Sequence, residues 1–187
     1  MSGQLADRDA IGQTSSLERA ARIFATRCHA RQQRASDGAR FIEHPLEVAR
    51  LLRDAGCSDV VVAAGLLHDV VEGTSVSFDE LAARFGAEVA GLVRAVSDDA
   101  RISSYRLRKR LLREQVDRAG GNAALVFAAD KISKVRELQG DARREHSQQL
   151  RLEHYRESLG MLQRIAPQHP LVQRLARELD ARPFPSS

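Results

Sequence analysis

The stretch that decides the fold is Leu66-Leu67-His68-Asp69-Val70-Val71-Glu72. The apolar run of residues 60–67 has the composition of a buried helix and leads directly into His68 and Asp69. A charged pair at the end of a buried helix is costly unless it is paired or bound to a metal. One imidazole nitrogen and one carboxylate oxygen suit Mn²⁺, Fe²⁺ or Zn²⁺ better than Ca²⁺. The stretch therefore indicates a metal site, provided that further ligands lie at helix ends elsewhere.

Apolar residues recur at helical spacing through most of the chain, and no strand pattern of useful length occurs. A first helix is predicted from Ser15 to about Arg34, a second with His44 as its cap, and a third that carries His68 and Asp69. The remaining predicted helices cover residues 77–85, 87–96, 104–119, 122–132, 143–165 and 171–179. We expect an all-α bundle of about eight helices over residues 15–182, preceded by a disordered tail over residues 1–14.

The composition of the 187 residues, 43% hydrophobic and 29% charged, is that of an ordinary globular protein. No apolar run is long enough to span a bilayer, and the N-terminus lacks a signal-peptide core, so we expect a cytoplasmic protein without a membrane partner. Cys28 and Cys57 are widely separated and are expected to be reduced. The net charge of +4 suits a polyanionic small molecule, whereas an aromatic content of 4% argues against nucleic-acid binding.

Further candidate ligands occur beside apolar runs at His44 and Asp130. Each has an ordinary alternative, because His44 could simply cap a helix and Asp130 could pair with Lys131 or an arginine. Together with His68 and Asp69 they supply two imidazoles and two carboxylates, a set that predicts a divalent metal centre. Glu72 follows His68 by four residues and can therefore share the same helix face.

This H…HD…D set resembles that of the HD-domain metal-dependent phosphohydrolases. Over residues 20–160 the chain is similar to the hydrolase domain of the RelA/SpoT family in its small stand-alone form. The stretches that carry the resemblance are residues 29–34, 41–46, 65–74, 85–89, 96–99, 108–111 and 129–132, together with Tyr155. We expect a single HD-type domain, since an appended synthetase or ACT-like regulatory domain would not fit in 187 residues.

By this resemblance, the protein would bind one Mn²⁺ and remove pyrophosphate from the 3′ position of ppGpp, a phosphorylated guanosine nucleotide. Fe²⁺ or Co²⁺ would also accept the ligand set of His44, His68, Asp69 and Asp130. Glu72 and Asp69 are the expected catalytic residues, and Arg34 matches the family position that lies against the nucleotide base. The remaining expected substrate-binding residues are Phe41, Lys109, Arg110, Lys131, Lys134 and Tyr155. For Lys109 and Arg110, a solvated basic helix face is an alternative interpretation.

Departures from the family pattern fall in the substrate pocket. The second acid after the His-Asp pair is replaced by Gly73, and one cation of the first loop by Ala35. Phe41 stands where the family carries a tyrosine, and Lys134 stands where it carries an asparagine. If the missing acid activates the attacking water, its loss would lower the rate by about 10²–10⁴-fold.

Several functions therefore stay open at the level of sequence. The protein could hydrolyse ppGpp with Glu72 alone, or hydrolyse another phosphorylated nucleotide with Lys134 meeting a phosphate. It could also be a degenerate member that binds a nucleotide without turnover. A nucleic-acid binder that uses the basic helix of residues 105–113 is a further alternative, which predicts steep salt dependence and no metal requirement. A homo-oligomer is neither indicated nor excluded.

Overall fold

The computed structural model describes residues 14–34, 37–138 and 145–181, and these residues form helices joined by short turns. The helices are α1 (Ser16–Cys28), α2 (Glu43–Asp54), α3 (Asp59–Leu67), α4 (Val70–Gly73), α5 (Phe78–Phe85), α6 (Ala87–Val96), α7 (Tyr105–Ala119), α8 (Gly121–Glu137), α9 (Glu145–Ile165) and α10 (Pro170–Asp180). Within the described part of the chain, Gln33 and Arg40 form an isolated antiparallel β-bridge. The predicted all-α class is confirmed.

Two helices, α3 and α8, lie at the centre of the bundle. Residues 61–67 of α3 are all buried, and α3 packs against α1, α2, α6 and α8. In α8, residues 126–133 are likewise buried in an unbroken run. A helix that is apolar on every side belongs in the interior of a protein. Because each central helix carries polar residues at or near its C-terminal end, both deliver such side chains into the core.

Helices α3 and α2 approach each other closely at Gly65. A Cβ atom placed on Gly65 would overlap Cδ1 of Leu52 and would lie 3.3 Å from Cγ1 of Val48. Only the absence of a side chain at Gly65 allows this spacing. The close approach therefore fixes α2 and α3 as a tightly packed pair. His44 lies in α2 and His68 directly follows α3, and both were predicted to bind a metal.

The C-terminal helix α10 packs on α8 and α9. His169 caps its N-terminus and Pro170 occupies its first turn, an arrangement that suits a helix start. The buried side chains of α10 are Leu171, Val172, Leu175 and Leu179. This apolar stripe attaches α10 firmly to the bundle.

Several helix boundaries differ from the prediction. The first helix ends at Cys28 rather than near Arg34, because the side chains of His29 and Gln32 turn inward to bond with each other and with the backbone of Gly73. His44 lies inside α2 and is not its cap. The predicted third helix is interrupted after Leu67, so α4 is a separate turn. The predicted tail lies outside the described residues except for Thr14, and the domain limits of 15–182 stay a prediction.

Candidate metal centre and cation cavity

Four polar side chains meet where α2, the α3–α4 junction and α8 converge. The Nε2 atoms of His44 and His68 are 3.2 Å apart. Oδ1 of Asp130 lies 3.1 and 3.5 Å from these two nitrogens, and Oδ2 of Asp69 lies 3.4 and 3.2 Å from them. Ligand atoms that share one ion at about 2.1 Å are separated by about 3.0–3.4 Å for octahedral to tetrahedral angles. His44, His68 and Asp130 each offer a ligand atom that lies within 4.8 Å of the other two, which is the grouping expected of a metal site. We call these three residues and Asp69 the four-ligand cluster, after the predicted ligand set.

Hydrogen bonds on the far side of each imidazole set its tautomer. Nδ1 of His68 donates to the carbonyl oxygen of Gly65 at 2.8 Å. Nδ1 of His44 lies 2.9 Å from Oγ of Ser133, whose hydroxyl donates to Oε2 of Glu47 at 2.7 Å. In the neutral state both rings therefore carry their lone pair on Nε2, which points into the cluster. This is the orientation that a metal-binding histidine requires.

The buried carboxylates of the four-ligand cluster act strongly on the charged groups around them. Burial lowers the pKa of His68, but the carboxylates of Asp69 and Asp130 raise it to about 10. Burial also acts against the charge of Asp130, yet Lys131 and Lys134 hold its pKa well below the ordinary value. Oδ1 of Asp130 is fully buried and makes no hydrogen bond of normal geometry among the described residues. Two lone pairs and two carboxylates at these distances fit a divalent cation.

A cavity of about 240 Å³ lies next to the four-ligand cluster. It is lined by the cationic side chains of Arg108, Lys109, Lys131, Lys134 and Arg151, and by Tyr105, Glu137, His154 and Tyr155. We call this space the cation cavity. Nζ of Lys131 is 2.5 Å from Oδ2 of Asp130, and Nζ of Lys134 is 2.9 Å from Oδ1 of the same residue. Asp130 thus joins the cluster to the cavity, whose excess of positive charge suits phosphate groups.

Lys131 is the most deeply buried cation of the cavity, with 2% of its surface exposed. Its Nζ lies 4.1 Å from the ring centroid of Phe127 and 5.9 Å from that of Tyr155. Burial lowers the pKa of Lys131 to about 8, although the charge of Asp130 opposes this shift. Contacts with two aromatic rings and one carboxylate stabilise the buried ammonium group.

The predicted substrate-binding residues fall into two groups. Lys109, Lys131, Lys134 and Tyr155 all line the cation cavity. Arg34 lies at its edge, because Nη1 of Arg34 is 3.6 Å from Oε1 of Glu137. The ring of Phe41 packs beside the cluster, with its centroid 6.0 Å from that of His44. Arg110 is not among the residues that line the cation cavity: its side chain is 62% exposed and pairs with Glu114.

Glu72 lies near the cluster, but not by the helical spacing on which its prediction relied. The helix is interrupted between His68 and Val70, and Oε1 of Glu72 accepts a hydrogen bond from the backbone N–H of Asp98 at 2.6 Å. Although the residue as a whole is solvent-exposed, partial burial of its carboxylate and the charge of Asp69 raise the pKa of Glu72. Its carboxylate is therefore close enough to Asp69 to sense the charge of the cluster.

Gly73 lies beside two polar side chains. Nε2 of Gln32 donates to the carbonyl oxygen of Gly73, and Nδ1 of His29 lies 2.8 Å from Oε1 of Gln32. A Cβ atom on Gly73 would lie 3.3 Å from Nε2 of Gln32 and 3.7 Å from Cε1 of His29. Since the nearest atoms belong to a flexible glutamine, a side chain at this position is sterically tolerable. Ala35 lies outside the described residues.

Sequence reasoning missed several residues of the site. Arg108 and Arg151 line the cation cavity. Arg151 precedes Tyr155 by one helical turn, so helical periodicity could have assigned both to one face of α9. Ser133 and Glu47, which orient His44, lie far apart in sequence and carry no local signal. His154 is buried, and its Nε2 atom has no hydrogen-bond partner in the described part of the chain.

Comparison with known families matches an HD-domain model to residues 21–154. This segment contains the complete four-ligand cluster and nearly all of the cation cavity. The chain belongs to the HD-domain family. The predicted resemblance to HD-domain proteins is confirmed.

Individual relatives extend the comparison. The human protein named guanosine-3′,5′-bis(diphosphate) 3′-pyrophosphohydrolase MESH1 is 46% identical over 119 residues, which are 62% of this chain and 65% of that protein. A Synechocystis protein named probable guanosine-3′,5′-bis(diphosphate) 3′-pyrophosphohydrolase is 50% identical over 74 residues, or 40% of this chain and 10% of that protein. The chain thus spans just under two thirds of the length of the human relative.

Solved structures agree with the fold. A metazoan ortholog of SpoT, described as hydrolysing ppGpp, superposes with a TM-score of 0.80 at 28% identity, over 92% of this chain and 99% of that one. The lmo0812 protein of Listeria monocytogenes superposes with a TM-score of 0.67 at 30% identity, over 74% of this chain and 92% of that one. Within the described residues, none of the helices is both long and apolar enough to cross a membrane.

Proposed function

We propose that this HD-domain protein is a metal-dependent phosphohydrolase that removes pyrophosphate from the 3′ position of ppGpp and leaves GDP. The observation that carries the proposal is the double role of Asp130, which faces both His44 and His68 and also contacts Lys131 and Lys134 of the cation cavity. A phosphate held by these lysines would lie next to an ion held by the cluster. The names of similar proteins support the choice of ppGpp.

The proposed ligands of the ion are His44, His68, Asp69 and Asp130. When bound, a divalent ion supplies a Lewis acid that polarises a phosphoryl oxygen and acidifies water. Mn²⁺ is our choice, and Fe²⁺ and Co²⁺ also accept two imidazoles and two carboxylates. The protein contributes a buried, preorganised ligand set, because both rings are held through Nδ1 and Asp130 is held by Lys131 and Lys134.

Glu72 is proposed to accept the proton of the attacking water. Its Oε1 atom is held by the backbone of Asp98, which orients the second carboxylate oxygen. The raised pKa of Glu72 makes its carboxylate a better proton acceptor, provided that the group is ionised at the working pH. Asp69, between His68 and Glu72, would link the metal to this base.

Lys109, Lys131, Lys134 and Tyr155 are proposed to bind the substrate within the cation cavity. The ammonium groups of the three lysines would neutralise the 3′ diphosphate, which leaves as pyrophosphate. Arg34 and Phe41 are proposed to border the nucleoside, since both lie at the edge of the cluster and not within the cavity. We also propose a cytoplasmic location, with Cys28 and Cys57 as free thiols.

A second candidate is hydrolysis of another phosphorylated nucleotide, or nucleotide binding with little turnover. Gly73 and Lys134 favour it, because the first removes a carboxylate beside the cluster and the second adds a cation next to Asp130. Both forms of this candidate keep the metal centre and the cation cavity. Only the measured reaction separates them from ppGpp hydrolysis.

The decisive experiment is ppGpp hydrolysis by metal-stripped protein that has been reloaded with Mn²⁺. We expect release of GDP and pyrophosphate, and loss of this release in Asp69→Ala because one ligand is removed. Binding of Mn²⁺ without product release would contradict ppGpp as the substrate, and a panel of other phosphorylated nucleotides would then be tested.

Substitution of Gly73→Asp tests how far the missing acid limits the rate. We expect hydrolysis to rise by about 10–100-fold, because a second carboxylate near the cluster can help to accept the water proton. Gly73→Asn, which has nearly the same size and no charge, serves as the control. A fall in rate with Asp but not with Asn would instead indicate that the site is adapted to a different substrate.

A further inference from the structure

His44 is connected by hydrogen bonds to a carboxylate outside the four-ligand cluster. Its Nδ1 atom lies 2.9 Å from Oγ of Ser133, and that oxygen lies 2.7 Å from Oε2 of Glu47. A hydroxyl has one hydrogen and an ionised carboxylate only accepts, so Ser133 donates to Glu47 and its oxygen accepts from the N–H of His44. Oε1 of Glu137 lies 3.3 Å from the same Nδ1 atom, but Ser133 is the hydrogen-bond partner, and its acceptor oxygen favours one orientation and one tautomer of the His44 ring.

Arg136 extends this connection to the C-terminal helix. Its Nη1 atom lies 2.7 Å from Oε1 of Glu47, and its Nε atom lies 2.7 Å from Oε1 of Glu178 in α10. Burial acts against the charge of Glu47, but hydrogen bonds from Arg136 and Ser133 keep its pKa below the ordinary value. Glu47 is therefore a carboxylate at neutral pH, as its role of acceptor from Ser133 requires.

The helix that supplies Glu178 lies beyond the segment of residues 21–154 that matches the HD-domain family. It is attached to α8 through a buried apolar stripe that includes Leu175 and Leu179. Three helices thus contribute to one continuous path: α2 supplies His44 and Glu47, α8 supplies Ser133 and Arg136, and α10 supplies Glu178. The path begins at a metal ligand and ends outside the matched domain.

We propose that this path, which we name the support chain, positions His44 for metal binding and makes α10 a functional part of the metal centre. The inference rests on the metal centre of the proposed function and deepens it. Partners that fix the tautomer of a ligating histidine commonly change metal affinity by about 10–100-fold when they are removed. None of the residues of the support chain other than His44 would touch the ion, so they act as positioning residues.

A purely structural role makes a different prediction. If Arg136 only joins α8 to α2 and α10, its loss or that of Glu178 lowers the stability of the fold, and the folded protein keeps its metal affinity. If the support chain positions His44, metal affinity falls in the fully folded protein. Metal affinity, measured below the unfolding temperature of each variant, therefore separates the two roles and does not depend on any substrate.

The experiment is titration of metal-free protein with Mn²⁺, in which the free ion is followed by electron paramagnetic resonance. We expect Ser133→Ala to raise the Kd by about 10–100-fold and Glu178→Gln to raise it by a smaller factor, about threefold or more. Ser133→Thr should return the Kd to near that of the wild type, because it restores the hydroxyl group.

Two matched variants control for general effects. Ser158→Ala removes a buried hydroxyl that bonds within α9, and Asp180→Asn neutralises an exposed carboxylate on α10 itself. Both should leave the Kd unchanged. A wild-type Kd in Ser133→Ala and Glu178→Gln would overturn the support chain but leave the metal centre intact. Failure of the wild type to bind Mn²⁺ would overturn the metal centre as well.

Discussion

Lys134 places a positive charge 2.9 Å from Oδ1 of Asp130, the atom that is proposed to bind the metal. Partial burial acts against this charge, but Asp130 and Asp69 raise the pKa of Lys134 well above its ordinary value. At neutral pH the lysine therefore stays protonated and competes with a cation for the same oxygen. Lys134 also lines the cation cavity. The same ammonium group therefore weakens metal binding and strengthens substrate binding.

Substitution of Lys134→Met should therefore tighten Mn²⁺ binding by about tenfold, because one like charge leaves the vicinity of the ion. The same change should raise the KM for a phosphorylated nucleotide, since the cation cavity loses one of its phosphate-binding groups. Mn²⁺ titration and steady-state kinetics measure the two effects separately.

Lys109→Met is the matched control for the metal effect. Lys109 lines the same cavity, but its ammonium pairs with Asp98 and not with Asp130. It should leave the affinity for Mn²⁺ unchanged. Weaker Mn²⁺ binding in Lys134→Met would mean that the lysine holds Asp130 in place, which contradicts the competition described above.

At the scale of elements, α7 presents two different basic surfaces. Lys109 lines the cation cavity, whereas Arg110 lines an outer cavity of about 290 Å³ between α7 and α9. The two cavities share Tyr105, Lys109 and His154 as a wall. Lys109 lies between the two cavities, whereas Arg110 lines the outer cavity and is absent from the lining of the cation cavity.

We accordingly expect Lys109→Gln to raise the KM for ppGpp by about tenfold and Arg110→Gln to change it less than twofold, because exposed ion pairs contribute little. Kinetics at several salt concentrations measure both variants under the same conditions. An equal effect of Arg110→Gln would show that the substrate extends into the outer cavity.

The sequence was sufficient to predict which helices exist and which residues supply the cluster. Apolar runs that end in His68 or contain Asp130 are local patterns, and a buried charge near such a run needs a partner. Helix ends were less predictable, since the first helix ends at Cys28 through contacts between Gln32 and Gly73, 41 residues apart. The partners of His44 and the orientation of Arg110 likewise depend on tertiary packing.

At the scale of the whole molecule, His154 couples the stability of the fold to pH. It is 3% exposed, and its Nδ1 atom accepts a hydrogen bond from Nη1 of Arg113 at 2.8 Å. Burial and the charges of Lys131, Lys109 and Arg113 hold the pKa of His154 far below its ordinary value. The folded protein therefore keeps this ring neutral, while the unfolded chain binds a proton below about pH 6.5.

Because the unfolded state binds the extra proton, the free energy of unfolding should fall as the pH drops below about 6.5. The slope from this residue is about 1.4 kcal/mol per pH unit. Urea unfolding of the wild type and of His154→Gln between pH 7.5 and 5.5 measures it, and the variant should show a flatter dependence. His169→Asn, which keeps a capping side chain on α10, should retain most of the wild-type slope. Equal slopes in the wild type and His154→Gln would contradict this assignment.

The close contact at Gly65 has a consequence for ion selectivity. It holds α2 against α3 and so fixes the Nε2 atoms of His44 and His68 at 3.2 Å. Two imidazole nitrogens held this close suit transition metals, whereas Ca²⁺ takes oxygen ligands. A missing methyl group between two helices thus sets the distance between the two nitrogen donors, and selectivity for transition metals is encoded in helix packing as well as in the ligands.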